Sequence, residues 1–153
     1  MEFLADLHPL VIHFPIALLM VYSIFVLLSF WNSDRYFPAA LIILFVGVLV
    51  GIVAVLSGNQ AAELFRRENF LISPLIQNAI ENHEFFATIT LWFYILLLVS
   101  SFYLYIKHLL DNKKILLLLI LSLIGCGLIY TTGSIGGELV YDHGVGVDLL
   151  IGK

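Results

Sequence analysis

The sequence predicts an all-α protein: a four-helix bundle embedded in a membrane as a single domain over residues 1–153. Three observations predict it. Of the 153 residues, 61% are apolar or aromatic and only 12% are charged, with a mean hydropathy of +1.06. A soluble domain is nearer half apolar and a quarter charged, so this chain has too little polar surface to cover itself in water. The apolar residues also fall into four runs that contain no Asp, Glu, Lys or Arg, and charges are costly in hydrocarbon. Each run is about twenty residues long, enough to cross about 30 Å of hydrocarbon. The remainder is short loops and two termini, which excludes a nucleotide-binding fold or a large hydrolase domain.

The first span covers about 9–31, and Asn32, Ser33, Asp34 and Arg35 end it with turn chemistry. It is preceded by Glu2 and Asp6 rather than by a basic region, and its apolar run is too long for a cleaved leader, so it is expected to remain in the mature protein. The second span, about 38–58, opens on Pro38, a residue suited to a first helical turn, and closes at Gly58, Asn59 and Gln60. The third is placed at about 85–106 and the fourth at about 115–135. Between the second and third, residues 60–83 mix Leu64, Phe65, Phe70, Leu71 and Ile72 with Glu63, Arg66, Arg67 and Glu68. That mixture predicts short helices lying in the membrane interface. Ser73 and Pro74 form a cap followed by a proline at the first helical position, so the third helix is expected to begin there and to project about ten residues past the bilayer. On it Ile76, Ala79 or Ile80, His83, Ala87 and Thr90 recur at three- and four-residue spacing, which turns His83 inward.

With four spans, both termini and the middle loop share one side. That side carries Arg66, Arg67 and Lys153, and the other carries Arg35, Lys107, Lys113 and Lys114. The basic excess favours the second side as cytoplasmic, giving N-out and C-out topology in a cytoplasmic (inner) membrane. Nine acids accompany the outer side: Glu2, Asp6, Glu63, Glu68, Glu81, Glu84, Glu138, Asp142 and Asp148. The net charge of −4 and the scattered basic residues argue against a nucleic-acid partner. The single cysteine, Cys126, offers neither a disulfide framework nor a CxxC site and reads as a packed side chain.

Four of the five histidines fall on the outer side although they are far apart in sequence. His8 precedes the first span, His13 lies in its opening turns, His83 opens the third and His143 follows the fourth; only His108 is opposite. Any one of them reads first as an interfacial residue with a satisfied polar tip, but four at one depth make a ligand constellation of the kind built in helix bundles. On one helix, His8 and His13 would point about 140° apart and differ in height by about 7.5 Å. They cannot clasp one ion, and a partner must come from another helix. His8 precedes Pro9, which biases it towards an extended conformation, so His13 is the intramembrane candidate, with Pro15 bending the helix near it. A pair of His13 and His83 could supply two axial nitrogens to a haem iron. His8 and His143 would then form a second pair or hydrogen-bond the propionates. No CxxCH is present, so the haem would be of the non-covalent b type, one or two per chain.

Small residues would make room for a macrocycle. Gly47, Gly51, Ala54 and Gly58 form a stripe on the second span that reads foremost as close helix packing. Gly125, Thr132, Gly133, Gly136 and Gly137 line the fourth, and Gly144 and Gly146 follow His143, which suits a backbone approaching a ligand closely. The aromatics Trp31, Tyr36, Phe37, Trp92, Tyr94, Phe102, Tyr103 and Tyr105 read as interfacial belt or bundle packing, and Lys113 and Lys114 as topology anchors.

The opening Leu7-His8-Pro9-Leu10-Val11-Ile12-His13-Phe14-Pro15-Ile16-Ala17-Leu18, together with the closing Gly136-Gly137-Glu138-Leu139-Val140-Tyr141-Asp142-His143-Gly144-Val145-Gly146-Val147, resembles the DUF2231 family of small four-span bacterial membrane proteins over nearly the whole chain. His8 and His13 match its first motif, His83 looks like its histidine ahead of the third span, and His143 matches the last. The family's domain occurs beside cytochrome c domains in longer chains, which implies a place in membrane electron transfer. One departure is visible: relatives often carry an acid after the second span, whereas Gly58, Asn59 and Gln60 precede Glu63 here.

The expected function is therefore a membrane-embedded b-type haem protein, an electron carrier or redox-complex subunit rather than a stand-alone enzyme. It would pass electrons between a periplasmic partner such as a cytochrome c and a quinone-linked complex. The alternatives are a zinc or copper site built from His8, His13, His83 or His143 with Asp6, Glu81, Glu84 or Asp142, and a cofactor-free accessory subunit of an oligomer or larger complex. Transport is least favoured, since no span holds an ionisable carboxylate or base at mid-bilayer, and no nucleophile with a base or paired intramembrane carboxylates suggests catalysis.

Overall fold

A computed structural model describes residues 3–69 and 71–146 of the chain, with side chains from Ala5 onward. Glu2, Phe70, Val147, Asp148 and Lys153, which entered the charge count and the motifs above, lie outside the described residues. Five helices are present: α1 (Phe3–Val11), α2 (His13–Leu28), α3 (Ser33–Glu68), α4 (Pro74–Ile106) and α5 (Asn112–Tyr141). Four stretches are long and apolar enough to cross a membrane: Ala5–Leu28, Ser33–Glu68, Pro74–Ile106 and Asn112–Tyr141. The first consists of α1 and α2 in series. Their junction at Ile12 retains helical torsions and sits between Pro9 and Pro15, which donate no N–H and leave carbonyls one turn earlier without their usual partners.

His8 is therefore helical, not extended. Pro9 biases its predecessor away from the helix only locally, and the Ile12 N–H reaches back to the His8 carbonyl at 3.2 Å to keep the turn closed. The segment read as short interfacial helices also differs. Residues 59–68 are the last turns of α3, and α4 begins at Pro74. Ser73 accepts from the Ile76 N–H at 3.3 Å, the cap that its sequence announced. At 36 and 33 residues, these helices run to roughly 50 Å, well beyond about 30 Å of hydrocarbon. The overhang stays helical because the two project together. Arg66 forks onto Glu84 at 3.2 Å and 2.6 Å, and its Nε lies 3.4 Å from Gln77 Oε1.

At the opposite end Asn32 caps α3 through the Arg35 N–H at 3.0 Å. Asp111 caps α5 through the Lys114 N–H at 2.9 Å, while the Lys114 ammonium holds the Asp111 carboxylate at 2.8 Å. The side chain of Lys114 is thus an anchor for its own helix end. α5 stops where Val145 N–H bonds back to Leu139 O at 2.9 Å and Gly144 N–H to Val140 O at 3.2 Å. Gly144 has φ +65°, the left-handed C-terminal position that glycine fills without a Cβ penalty.

The helices form a closed ring. α2 packs on α3, α3 on α4, α4 on α5, and α5 on α2, with α1 lying on α3. The first and third spans are thus diagonal, as are the second and fourth. The core between them holds Leu19, Tyr22, Val26, Phe37, Leu44, Val48, Tyr94, Leu97, Ile115, Leu118 and Ile129. Side chains such as Phe45, Leu49, Trp92, Leu96, Val99, Leu116 and Leu123 point outward. That surface is stable only against lipid, whose hydrocarbon solvates what water would not.

Candidate functional site

At the end of the bundle where α1 begins and α3 gives way to α4, the imidazoles of His8 and His83 meet across the diagonal. Their ring centroids are 6.5 Å apart with planes at 77°. Neither ring is held by its partner. The Nδ1 of His8 is 3.0 Å from the Ala54 carbonyl and 3.2 Å from Ser57 Oγ, and the Ser57 hydroxyl itself donates to Ala54 O at 3.0 Å. The Nδ1 of His83 is 3.2 Å from the Thr132 carbonyl. A carbonyl only accepts, so each Nδ1 carries the proton and donates it, which leaves Nε2 with a lone pair. Among the described residues no hydrogen bond engages either Nε2.

Glycine sets both positions. A Cβ on Gly58 would stand 2.8 Å from His8 Cε1, and one on Gly136 would stand 2.9 Å from His83 Cε1. In each case the glycine lies one turn beyond the anchoring carbonyl, so the ring lies in the notch where that side chain would be. Beneath the site, Thr90 and Thr132 hydroxyls are 3.1 Å apart, each within reach of a carbonyl of its own helix, Phe86 O and Leu128 O, so one donates across the pair and the other to its helix.

The other two candidate ligands stand elsewhere. His13 is exposed on the outside of the bundle, so the pairing of His13 with His83 gives way to His8 with His83. The reason is the helical phase. Once His8 and His13 share one nearly continuous helix, the five-residue step that separates them turns one inward and the other out. His143 follows α5 and lies in a separate cleft between α4 and α5, with Leu75, Asn78, Asn82, Phe86, Ile135 and Glu138. Its Nε2 is 3.9 Å from Glu138 Oε1. The second pairing considered from sequence, His8 with His143, is therefore not formed either.

Among the described residues there is no group of three or more His, Cys, Asp or Glu side chains arranged to hold a metal ion. Glu84, next in sequence to His83, is committed to Arg66. The carboxylates thus do not complete a site, and a tetrahedral zinc centre, which draws three or four ligands from protein, lacks its donor set. The site offers two imidazole nitrogens.

The stripes of small residues divide between two uses. A Cβ at Gly47 would stand 2.8 Å from Leu19 Cδ2, and one at Gly51 3.4 Å from Leu91 Cδ1, so those two serve close helix packing. Gly58 and Gly136 instead cradle histidines. Gly144 and Gly146 are not beside a ligand-bearing cavity: both have positive φ and open space around them, and they shape the end of α5. What sequence reasoning missed was the anchors, Ala54, Ser57 and Thr132. Two of them act through backbone carbonyls, which carry no residue-type signal.

A ring of four helices long and apolar enough to cross a membrane defines an integral membrane protein of the four-span bundle class. The profile of the DUF2231 family, described as a predicted membrane protein, matches residues 5–149. The chain belongs to that family. No curated protein and no solved structure matches it.

Proposed function

We propose that the protein is a b-type haem carrier of membrane electron transfer, with His8 and His83 as the axial ligands. The observation that carries this reading is the donor set. Two imidazoles from diagonal helices each donate Nδ1–H to a carbonyl and keep Nε2 unprotonated, the state in which metal-bound histidines are held. Two protein nitrogens are too few for most metal ions, yet they are the full axial complement of a haem whose macrocycle supplies the rest. The ring centroids are 6.5 Å apart, near enough for both imidazoles to serve one group held between them.

A bound haem would supply reversible one-electron chemistry near the outer membrane surface. The chain's own contribution is to fix the two rings through the Ala54 and Thr132 carbonyls and to leave room for them at Gly58 and Gly136. The basic residues at Arg35, Lys107, Lys113 and Lys114 support placing the histidine end on the outer, periplasmic side, with the bacterial inner membrane as the setting. A periplasmic cytochrome or a quinone-linked complex is the partner of matching chemistry.

The test is a reduced-minus-oxidised absorption spectrum of the protein purified in mild detergent after expression with ample haem, with pyridine haemochrome quantification. A b-type α-band that vanishes in His8→Ala and in His83→Ala, and persists in His13→Ala and His143→Ala, is the expected result. A well-folded helical protein without a chromophore would refute the reading. Loss of the band in His13→Ala with retention in His8→Ala would refute the ligand assignment.

A further inference from the structure

The two histidine environments are the same device built twice. In each, the ring stands on the first helix of a hairpin, its Nδ1 donates to a carbonyl on the second, and a glycine one turn past that carbonyl makes room: His8, Ala54 and Gly58 in one, His83, Thr132 and Gly136 in the other. The correspondence continues down the bundle in strict register. Seven, eleven, fourteen and eighteen residues after His8 come Pro15, Leu19, Tyr22 and Val26, all buried; the same steps after His83 give Thr90, Tyr94, Leu97 and Ser101, all buried. Counting back eleven residues from Gly58 and from Gly136 gives Gly47 and Gly125. Each is a notch for the residue eleven after its histidine: a Cβ at Gly47 would meet Leu19 at 2.8 Å, and one at Gly125 would meet the Tyr94 hydroxyl at 2.5 Å.

Helix contacts obey the same rule. Within each half the first span packs on the second, and between halves α3 meets α4 as α5 meets α2. The two histidine-bearing spans run in the same direction, so the operation relating the halves is a two-fold rotation about the membrane normal, as in parallel internal repeats.

We propose that the chain is a duplicated helix hairpin, and that the pseudo-two-fold axis passing between His8 and His83 defines one ligand site, shared by both halves, for a single metal centre that takes two equivalent imidazoles. The identity of that centre as haem rests on the reading above; the pairing on the axis does not. The consequence is stoichiometric. One haem binds per chain, and His13 and His143, which have no counterparts in this register, are not ligands. The halves present their rings to the centre in the same way, so shielding either ring from it weakens binding.

The experiment has two arms on the full chain in detergent. In the first, haem is titrated into wild type, Gly58→Val and Gly136→Val, with circular dichroism as a check that the helices persist. Saturation at about one haem per chain is expected, with both valine variants weakened by about tenfold or more. In the second, His8→Cys and His83→Cys are combined with Cys126→Ser and treated with a fluorogenic reagent that lights up only on bridging two thiols. An intrachain bridge that is absent from each single-cysteine control is expected. A bridge without haem binding would keep the axial pairing and refute the haem reading. Saturation at two haems per chain, haem binding that survives loss of either histidine, or no bridge in a folded protein would overturn the proposal.

Discussion

Single residues in this bundle are governed by the scarcity of water. A buried polar atom must find its partner within the protein, and His8, His83, Tyr22, Ser57 and Thr132 do. The Tyr94 hydroxyl is fully buried without a hydrogen bond, pressed into the notch of Gly125. Because its polar neighbour is the Cys126 sulfur, a weak partner, Tyr94→Phe is expected to leave stability unchanged or to raise it by about 1 kcal/mol; thermal unfolding in detergent measures it. Tyr22 differs, since its hydroxyl meets Ser101 at 3.1 Å. Tyr22→Phe leaves Ser101 unpartnered and should cost about 1 kcal/mol or more, so the two substitutions should move the transition in opposite directions or leave only Tyr22→Phe destabilised. Residue-level chemistry was partly legible in sequence. Histidine type and depth singled out four candidates, of which the structure brings two together. His8 was discounted on the rule for residues before proline, which describes local preference; packing on α3 and the hydrogen bond to Ala54 outweigh it.

Helices are longer than their hydrophobic runs. The ends of the spans were read from where charges begin, which locates the hydrocarbon boundary and not the end of the helix. Past that boundary α3 continues through Gln60, Glu63 and Arg66, because its projecting turns have α4 to pack against and the Arg66–Glu84 fork to join them. The pair is about a quarter exposed on both sides, so its loss should cost more than a fully solvated ion pair. Arg66→Ala is expected to destabilise by about 1–2 kcal/mol and to raise amide hydrogen exchange in residues 59–68 and 74–84, while exchange in the membrane core stays unchanged. Equal protection in wild type and variant would show the fork to be dispensable. At the other membrane face, the Lys114 side chain and N–H hold the Asp111 carboxyl below the usual carboxylate range. A carboxyl depressed in the folded state stabilises above its unfolded pKa, and that contribution is lost as pH falls through the folded value. Asp111→Ala should therefore fray the first turn of α5 at neutral pH and have little effect in strong acid, as hydrogen exchange at Lys113 to Leu116 would report.

Taken whole, the molecule is a ring of four spans with an apolar surface facing lipid. The topology expected from it can be checked by labelling single cysteines placed at Glu68 and at Lys113, in a Cys126→Ser background, with an impermeant thiol reagent on intact cells. Labelling at position 68 alone agrees with N-out and C-out, and labelling at 113 alone reverses the orientation. The sequence by itself determined the class: composition and the length of four uncharged runs demand a bilayer, because no arrangement of these side chains could hide them from water. It also determined that four of the five histidines gather at one end, since four crossings leave the order of loops no freedom. Only the tertiary structure decided which histidines meet, and that one hairpin repeats the other. Pairing depends on helical phase across Pro9 and Pro15 and on two backbone carbonyls, features that residue identity does not encode. The repeat is carried by burial register and by glycines at two shared positions, while the residues between have diverged, as Leu19 against Tyr94 and Pro15 against Thr90 show. Packing constrains where a small or a large side chain fits far more tightly than which one it is, so the symmetry survives in space after it has faded from the sequence.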